Sequence, residues 1–526
     1  MRKLTSLAFL LCISLSSIAQ DYASCNAYTE IGDFDRARQC LYTFKGTVDP
    51  GALNFYKMNL ALNEGDGMTA KSLCLEAEKL NPSDPFALGS MTMYIVYSNN
   101  AAAAKIKFDP VFKNMKGVSP AMLMEVTRSF FKYKAKDTTY ARTLIDMLEK
   151  QVKQPNADWL ILKGDYLASW GDHGSALTFY NKAIDAQTGP RKALAYYRKG
   201  LAYRRIKNPE AAMGELQTAI QLNPEFVQAL LLKAEVHFEL AQVDQGVAAY
   251  EEYFKRAPYD MRARVQMSRS LFAAKKFKES GDVAMMVASK DPENLSAIKL
   301  LAYVNYELGN FPVGLTYMES FFAKADTTII QSRDYEYLSK YYMKNNADSM
   351  AIVSLMKALE FEDADGPLFT ECGALLLKKN RFQDAFEVYR AKASKHNMSS
   401  ADNYSYGRAA LMIRDYVSAD SLFARVCEVQ PNWAPGFLMK AKASSNLDPN
   451  TTEGRAFPFY EKYIALAEAD AANLEKNKAG LLESYRYMGY YHFLKKENAK
   501  SKEFFNKVLA IDPKDKQATE VLKGLK

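Results

Sequence analysis

The chain has 526 residues, of which 48% are hydrophobic and 25% are charged. This composition is typical of a globular protein and excludes a disordered or collagen-like chain, and the length alone predicts about three or four domains. The 69 Lys and Arg residues against 61 Asp and Glu leave a mild positive charge without a run of five basic residues, so nucleic-acid binding is not indicated.

The N-terminus has the layout of a secretory signal peptide. Basic residues in Met1–Lys3 precede an apolar run, Leu4–Leu15, and small residues in Ser17-Ile18-Ala19 occupy the positions that signal peptidase reads. This predicts a signal peptide over 1–19 with cleavage before Gln20, and the alternative is a buried N-terminal helix. The run is too short to anchor the chain in a bilayer, and no later segment offers about 18 uninterrupted apolar residues.

The sequence over residues 20–156 predicts helix pairs that diverge from the more regular pairs that follow. In the second pair, Gly51–Asp84, small residues and a closing proline have the spacing of the more regular pairs that follow: Ala61, Ala70, Ala77 and Pro82. The pairs before and after it fit this spacing more loosely.

A regular pattern covers residues 157–433. Pro224, Pro258 and Pro292 are 34 residues apart, and each ends a predicted helix because proline has no N–H to donate. Within one unit, small residues let two helices approach and large residues fill the space between them. The residues that carry this pattern in the unit before Pro224 are Tyr196, Gly200, Tyr203, Ala212, Leu216 and Ala219. Units of 34 residues begin near Ala193, Val227, Met261 and Leu295, and, after three extra residues, near Ser332, Gly366, Ser400 and Ala434.

The spacing and residue types resemble the tetratricopeptide repeat. The resemblance implies an all-α fold, a right-handed α-solenoid (superhelix) of about 13–14 helix-turn-helix repeats that covers nearly the whole chain after the signal peptide. Together with the Ala19-Gln20 boundary, it makes the chain similar to exported periplasmic repeat proteins of Bacteroidetes.

The last segment, 434–526, predicts C-terminal repeats with two departures from the pattern. Extra residues rich in Ala, Glu and Lys lie near 464–481 and lengthen a helix or add a loop. Residues 514–525 predict a polar capping helix.

Five cysteines remain after cleavage: Cys25, Cys40, Cys74, Cys372 and Cys427. An exported protein could form a disulfide between Cys25 and Cys40 or between Cys40 and Cys74. Buried reduced thiols are the simpler interpretation, because five cysteines in so long a chain are not a disulfide framework.

Motifs for catalysis are missing from the sequence. The four histidines, His173, His237, His396 and His492, include no pair at the spacing that would place two zinc ligands on one helix face. No phosphate-binding loop, nucleophile elbow or calcium loop is present. The sequence therefore predicts no enzyme activity, no cofactor and no metal site.

The resemblance places a binding surface on the first helix of each repeat, on the concave wall. Register assigns aromatic and basic residues to that wall, a composition typical of interaction hot spots. The predicted peptide- or protein-binding residues are Tyr197, Arg204, Arg205, Phe238, Arg269, Phe272, Lys299, Tyr303 and Tyr306. The alternative for each aromatic residue is packing against the next repeat.

These features predict a non-catalytic scaffold of the bacterial cell envelope that binds protein or peptide partners on its concave surface. We expect it in the periplasm, with association at the outer membrane or secretion left open, and without nucleic-acid partners or a transmembrane segment. The alternative is a glycan-binding protein associated with polysaccharide uptake, which the resemblance favours less because the chain lacks a lipobox and large insertions. A third interpretation is an enzyme that uses the repeats as a scaffold.

Overall fold

The computed structural model describes residues 22–44, 48–81, 83–114, 118–133, 137–151 and 156–525. The predicted signal peptide, 1–19, and Pro82 lie outside the described residues. The chain divides into two compact units, an N-terminal unit (Met1–Pro292) and a C-terminal unit (Glu293–Lys526). The predicted segments 20–156, 157–433 and 434–526 follow the regularity of the sequence and stay a prediction.

The N-terminal unit consists of eight consecutive helix pairs in its described residues. Its helices are α1 (Tyr22–Ile31), α2 (Phe34–Tyr42), α3 (Pro50–Glu64), α4 (Gly67–Ala77), α5 (Pro85–Tyr97), α6 (Ala101–Lys113), α7 (Pro120–Lys132), α8 (Thr138–Gln151), α9 (Ala157–Ser169), α10 (His173–Asp185), α11 (Lys192–Arg205), α12 (Pro209–Leu222), α13 (Val227–Glu239), α14 (Val243–Phe254), α15 (Met261–Ala273) and α16 (Phe277–Lys290).

The C-terminal unit continues with six pairs and a final helix. Its helices are α17 (Leu295–Glu307), α18 (Phe311–Lys324), α19 (Ser332–Lys344), α20 (Asp348–Ala358), α21 (Gly366–Lys378), α22 (Phe382–Lys395), α23 (Ser400–Met412), α24 (Tyr416–Val429), α25 (Ala434–Leu447), α26 (Phe457–Ala469), α27 (Leu474–Leu494), α28 (Asn498–Ile511) and α29 (Lys516–Gly524). A 3₁₀ turn, Thr327–Ile329, lies where the sequence has its three extra residues.

The all-α repeat fold is confirmed: the described residues form fourteen helix pairs and contain no strand. The residues of the pattern lie at the helix contacts, since Ala212, Leu216 and Ala219 are fully buried. Gly373 shows why the pattern needs a small residue, because a Cβ there would lie 2.6 Å from the ring of Tyr389 on the second helix of the same repeat.

The turn inside a repeat has a recurring local structure. In the sixth repeat, Lys207 adopts a left-handed conformation with φ of 58°. The side chain of Asn208 then accepts a hydrogen bond from the backbone N–H of Ala211 at 3.0 Å, and Pro209 occupies the first turn of α12, where a missing N–H is tolerated. The local sequence thus ends one helix and begins the next within a few residues.

Two of the five cysteines differ from the simpler expectation of reduced thiols. Cys25 and Cys40 form a disulfide that joins α1 to α2, with 5.5 Å between their Cα atoms. Cys74 and Cys372 are buried free thiols, and Cys427 is a partly buried one. The spacing of Cys25 and Cys40 on two packed helices is compatible with a disulfide, which the low overall number of cysteines did not indicate.

None of the described helices combines the length and apolar content needed to cross a lipid bilayer.

Candidate functional site in the N-terminal unit

The first helices of the N-terminal unit surround a concave cavity of about 570 Å³, here called the central cavity. It is lined by residues of α1, α3, α7, α9, α11 and α13, with a smaller contribution from α10. The first helices of repeats form the inner layer of such an array, so their polar residues meet in this space.

A contact between the first and the seventh repeat closes one side of this arrangement. Gly32, at the end of α1, lies against the side chain of Gln228 at the start of α13. Nearby, Arg36 Nη2 lies 2.9 Å from Glu225 Oε2, and Ile31 packs on the apolar cluster that contains Phe226. Gly32 has a φ of +80°, a conformation that favours glycine at this close approach.

A charge cluster from α7, α9 and α11 lies on the wall of the cavity. Asp165 is near two guanidinium groups, with 3.4 Å to Arg128 Nε and 3.1 Å to Arg198 Nε. The hydroxyl of Tyr180 donates to Asp165 at 2.9 Å, and Arg128 also pairs with Glu125. Burial disfavours the charged form of Arg128, but Glu125 and Asp165 outweigh it and raise the pKa of this guanidinium.

A chain of hydrogen bonds runs from Lys132 on α7 to Glu30 on α1. The Nζ of Lys132 donates to Asn63 Oδ1 at 2.7 Å, and Asn63 Nδ2 donates to Asn59 Oδ1 at 3.0 Å. Asn59 Nδ2 donates to Asn26 Oδ1 at 2.9 Å, and Asn26 Nδ2 donates to Glu30 Oε1 at 3.2 Å. Each asparagine accepts from one neighbour and donates to the next, so three neutral amides connect a cation to an anion.

Both ends of this asparagine chain have shifted pKa values. Burial raises the pKa of Glu30 to about 7, the like charges of Glu125 and Asp158 add to this, and Arg128 and Arg198 oppose it. Burial also lowers the pKa of the lysine at the other end to about 8. Both side chains contact the solvent of the cavity, while the surrounding helices limit access to bulk water.

Two of the predicted binding residues line the central cavity: Tyr197 and Arg205. Tyr197 is buried, with its ring 4.9 Å from that of Phe226. The neighbouring Arg204 instead extends to α13, where its Nε lies 2.6 Å from Glu239 Oε1 and its Nη1 pairs with Glu235.

The remaining predicted residues of the N-terminal unit, Phe238, Arg269 and Phe272, are not among those that line the cavity. The ring of Phe238 lies 6.0 Å from that of Tyr250, and Phe272 is buried with its ring 5.3 Å from that of Phe277. Arg269 is exposed. The two phenylalanines therefore pack between the helices of their own repeats.

In the C-terminal unit, Lys299, Tyr303 and Tyr306 join α17 to α19. Lys299 Nζ lies 3.3 Å from Asp334 Oδ2, and the hydroxyl of Tyr303 donates to the same buried carboxylate. The ring of Tyr303 stacks on that of Tyr337 at 4.2 Å, and Tyr306 meets Tyr337 edge-on at 5.5 Å. These side chains hold adjacent repeats together, and their role in binding a partner stays a prediction.

The sequence did not predict most residues of the central cavity, and about half of the lining residues lie in the divergent repeats over 20–156. A signal was present: polar residues interrupt otherwise apolar first helices at Asn26 and Asn59, and at Glu125 and Arg128. Without a reliable register over 20–156, these residues could not be assigned to the inner wall. No group of three or more His, Cys, Asp or Glu side chains with the arrangement of a metal site occurs in the part of the chain that the structure describes.

The helix pairs, their spacing and their small-residue contacts define a protein of the tetratricopeptide-repeat type. Residues 169–253 match the family model described as anaphase-promoting complex, cyclosome, subunit 3. Repeat proteins of this type generally act as protein-interaction scaffolds.

Individual relatives are distant. The DnaJ homolog subfamily C member 7 homolog of Schizosaccharomyces pombe is 20% identical over 255 residues, 48% of each chain, so this chain spans about half the length of that relative. The solved C-terminal part of a repeat-containing protein from Cytophaga hutchinsonii is 28% identical with a TM-score of 0.37 and covers 49% of this chain and 98% of its own. A tetratricopeptide repeat protein from Parabacteroides merdae is 16% identical with a TM-score of 0.39 and covers 49% of this chain and 100% of its own.

Proposed function

We propose that this protein is a non-catalytic scaffold of the bacterial cell envelope that binds a peptide segment of a protein partner in the central cavity. The observation that carries the proposal is the cavity itself, a space of about 570 Å³ lined by charged and polar side chains from six first helices. Charged groups held inside a concave surface favour binding of a polar segment with defined orientation.

The disulfide supports an oxidising compartment. Disulfides persist in the periplasm and outside the cell, whereas cytosolic thiols are kept reduced. The Cys25–Cys40 disulfide fixes α1, the helix that carries Asn26 and Glu30 into the cavity. Together with the predicted signal peptide over 1–19, it favours a periplasmic location, and fractionation of cells that produce the full chain tests this.

The two predicted residues that line the cavity belong to the same proposed site. Tyr197 offers a ring and Arg205 an exposed guanidinium on α11, next to Leu201. We propose that a partner segment contacts these side chains. Arg204 and the predicted residues of the C-terminal unit act mainly by holding adjacent repeats together, whereas Phe238 and Phe272 pack within their own repeats.

Photo-crosslinking in the native envelope tests the proposal. A photoreactive residue replaces Leu201, which lines the cavity and belongs to neither the charge cluster nor the asparagine chain. We expect a crosslinked partner from Leu201 and none from the control position Met285, an exposed residue of α16. Equal capture from both positions, or capture from Met285 alone, would contradict binding in the cavity.

A further inference from the structure

Two carboxylates of the central cavity, Glu30 and Asp158, have no ion pair among the described residues. Among the described side chains, Glu30 accepts a hydrogen bond only from the amide of Asn26, and Asp158 lies in the first turn of α9. The two other carboxylates that line the cavity, Glu125 and Asp165, are already paired with arginines. The cavity therefore contains two acidic groups whose charges are not locally neutralised.

An unpartnered hydroxyl lies on the same helix as Glu30. Thr29, the neighbour of Glu30 on α1, lines the cavity and is 1% exposed. Its Oγ1 makes no hydrogen bond within the described part of the chain. Buried hydroxyls are normally hydrogen-bonded, so this one has a hydrogen-bonding capacity that no described residue uses.

The cations that face Glu30 are already occupied. The charged groups around it are Glu125 and Arg128 from α7, Asp158 from α9 and Arg198 from α11. Arg128 pairs with Glu125, and Arg128 and Arg198 share Asp165. A ligand that brings positive charge would thus meet unneutralised carboxylates, whereas an anionic ligand at the same place would meet like charge.

We propose that a primary ammonium group of the partner binds at Glu30 and Asp158, with the hydroxyl of Thr29 as a third acceptor. The inference rests on the proposed function and specifies the chemistry of the bound segment. An ammonium group has three N–H donors and fits three separate acceptors, whereas the planar guanidinium of arginine fits best when one carboxylate accepts two bonds. A lysine side chain and a free N-terminus offer the same ammonium chemistry.

Binding of an ammonium group also releases a proton. In the empty cavity the pKa of Glu30 is about 7, so roughly half of these carboxyl groups are protonated at neutral pH. A cation beside Glu30 favours its ionised form and lowers this pKa. We expect up to about half a proton to be released per bound ligand at pH 7.

Calorimetry on the full chain with four capped tripeptides tests the inference. N-acetyl-Gly-Lys-Gly amide carries only the side-chain ammonium, and Gly-Gly-Gly amide carries only the N-terminal one. N-acetyl-Gly-Arg-Gly amide carries a guanidinium, and N-acetyl-Gly-Gly-Gly amide has no charge. We expect at least one ammonium peptide to bind about tenfold or more tightly than the uncharged peptide, and also more tightly than the arginine peptide. Its binding heat should depend on the ionisation enthalpy of the buffer, which reports proton release.

Variants assign the effect to the proposed site. Glu30→Gln should lose the buffer dependence and weaken binding of the ammonium peptide about tenfold, and Asp158→Asn should weaken it without removing the buffer dependence. Glu210→Gln, an exposed site in α12, serves as the matched control and should change neither. Thermal unfolding of each variant shows that the fold is retained.

Several results would overturn the inference. The uncharged peptide could bind as tightly as the ammonium peptides, Glu30→Gln could bind them unchanged, or no peptide could bind at millimolar concentration. In each case the crosslink from Leu201 still decides separately whether the cavity holds a protein partner. If the arginine peptide bound most tightly, the site would prefer a guanidinium to an ammonium group, and this would contradict the proposal.

Discussion

Glu30 and Lys132 are ionisable residues held in an environment that disfavours their charges. Burial moves the pKa of Glu30 up to about 7 and that of Lys132 down to about 8, although the asparagine chain connects them. Destabilised charges that line a cavity are typical of binding sites, where stability is given up for function.

The raised pKa of Glu30 predicts that stability falls as pH rises. The native state keeps the proton of Glu30 up to about pH 7, whereas the unfolded chain loses it near the ordinary pKa of 4.5. Raising the pH between these two values therefore stabilises the unfolded state relative to the native state. Glu30→Gln removes this dependence. Because the side chain contacts cavity solvent, we expect the variant to be more stable than the original by only about 1 kcal/mol at pH 8 and about equal to it at pH 4.

Urea unfolding at the two pH values measures this difference. Glu210→Gln, in the exposed first turn of α12, is the control and should change stability equally little at both pH values. A loss of stability in Glu30→Gln at pH 8 would show that the ionised carboxylate stabilises the empty cavity, contrary to the prediction.

At the scale of elements, α1 depends on its disulfide. It has only ten residues and follows no described helix, so packing on α2, α3 and α13 and the Cys25–Cys40 bond hold it in place. In the chain-entropy description, a disulfide that closes a loop over a separation of 15 residues adds about 3 kcal/mol to the free energy of unfolding. Because α1 carries Asn26, Thr29 and Glu30, the state of this bond also controls the shape of the cavity.

We predict that Cys25→Ala with Cys40→Ala destabilises the first repeat locally. Hydrogen exchange should speed up in α1 and α2 by about two orders of magnitude, which corresponds to about 3 kcal/mol, while exchange in α21–α24 stays unchanged. Cys427→Ala, which removes a partly buried free thiol, is the control. Unchanged exchange in α1 would mean that packing on its neighbouring helices fixes this helix without the disulfide.

The sequence predicted the helix pairs well because the two helices of each repeat pack through the same pattern of local residues. Ala212, Leu216 and Ala219 recur with the spacing of one helix face, and Asn208 with Pro209 marks a helix start. The central cavity could not be predicted in this way. It depends on a contact between residues near 32 and near 228, and no local pattern indicates a contact over that separation.

The same distinction explains the predicted binding residues. The repeat register placed Tyr197 and Tyr303 on the inner side of their first helices. It does not determine which side chains of the next repeat lie against them. Asp334, at the start of α19, accepts a hydrogen bond from the hydroxyl of Tyr303, and Phe226 packs on Tyr197. Whether an inward side chain is open to a ligand thus depends on residues about 30 positions later, whose side chains the repeat pattern leaves variable.

At the scale of the whole molecule, the two units differ in how a local change should spread. In an open array each repeat contacts its neighbours only, and stability is close to a sum of repeat and interface contributions. The N-terminal unit departs from this because α1 reaches α13. A perturbation in the sixth repeat can therefore reach the first repeat directly, without passing through the five interfaces between them.

A matched pair of core substitutions tests this difference. Leu216→Ala in α12 and Leu355→Ala in α20 each remove a fully buried leucine and should destabilise their surroundings by about 2–5 kcal/mol. Leu216 belongs to the apolar cluster on which Ile31 packs, so its substitution should increase hydrogen exchange in α1 as well as in α11–α13. Leu355→Ala should affect α19–α22 and leave exchange in α1 at its original rate. If both substitutions left α1 unchanged, the contact between Gly32 and Gln228 would not couple the two repeats, and the cavity would have to be held by the disulfide and neighbouring helices alone.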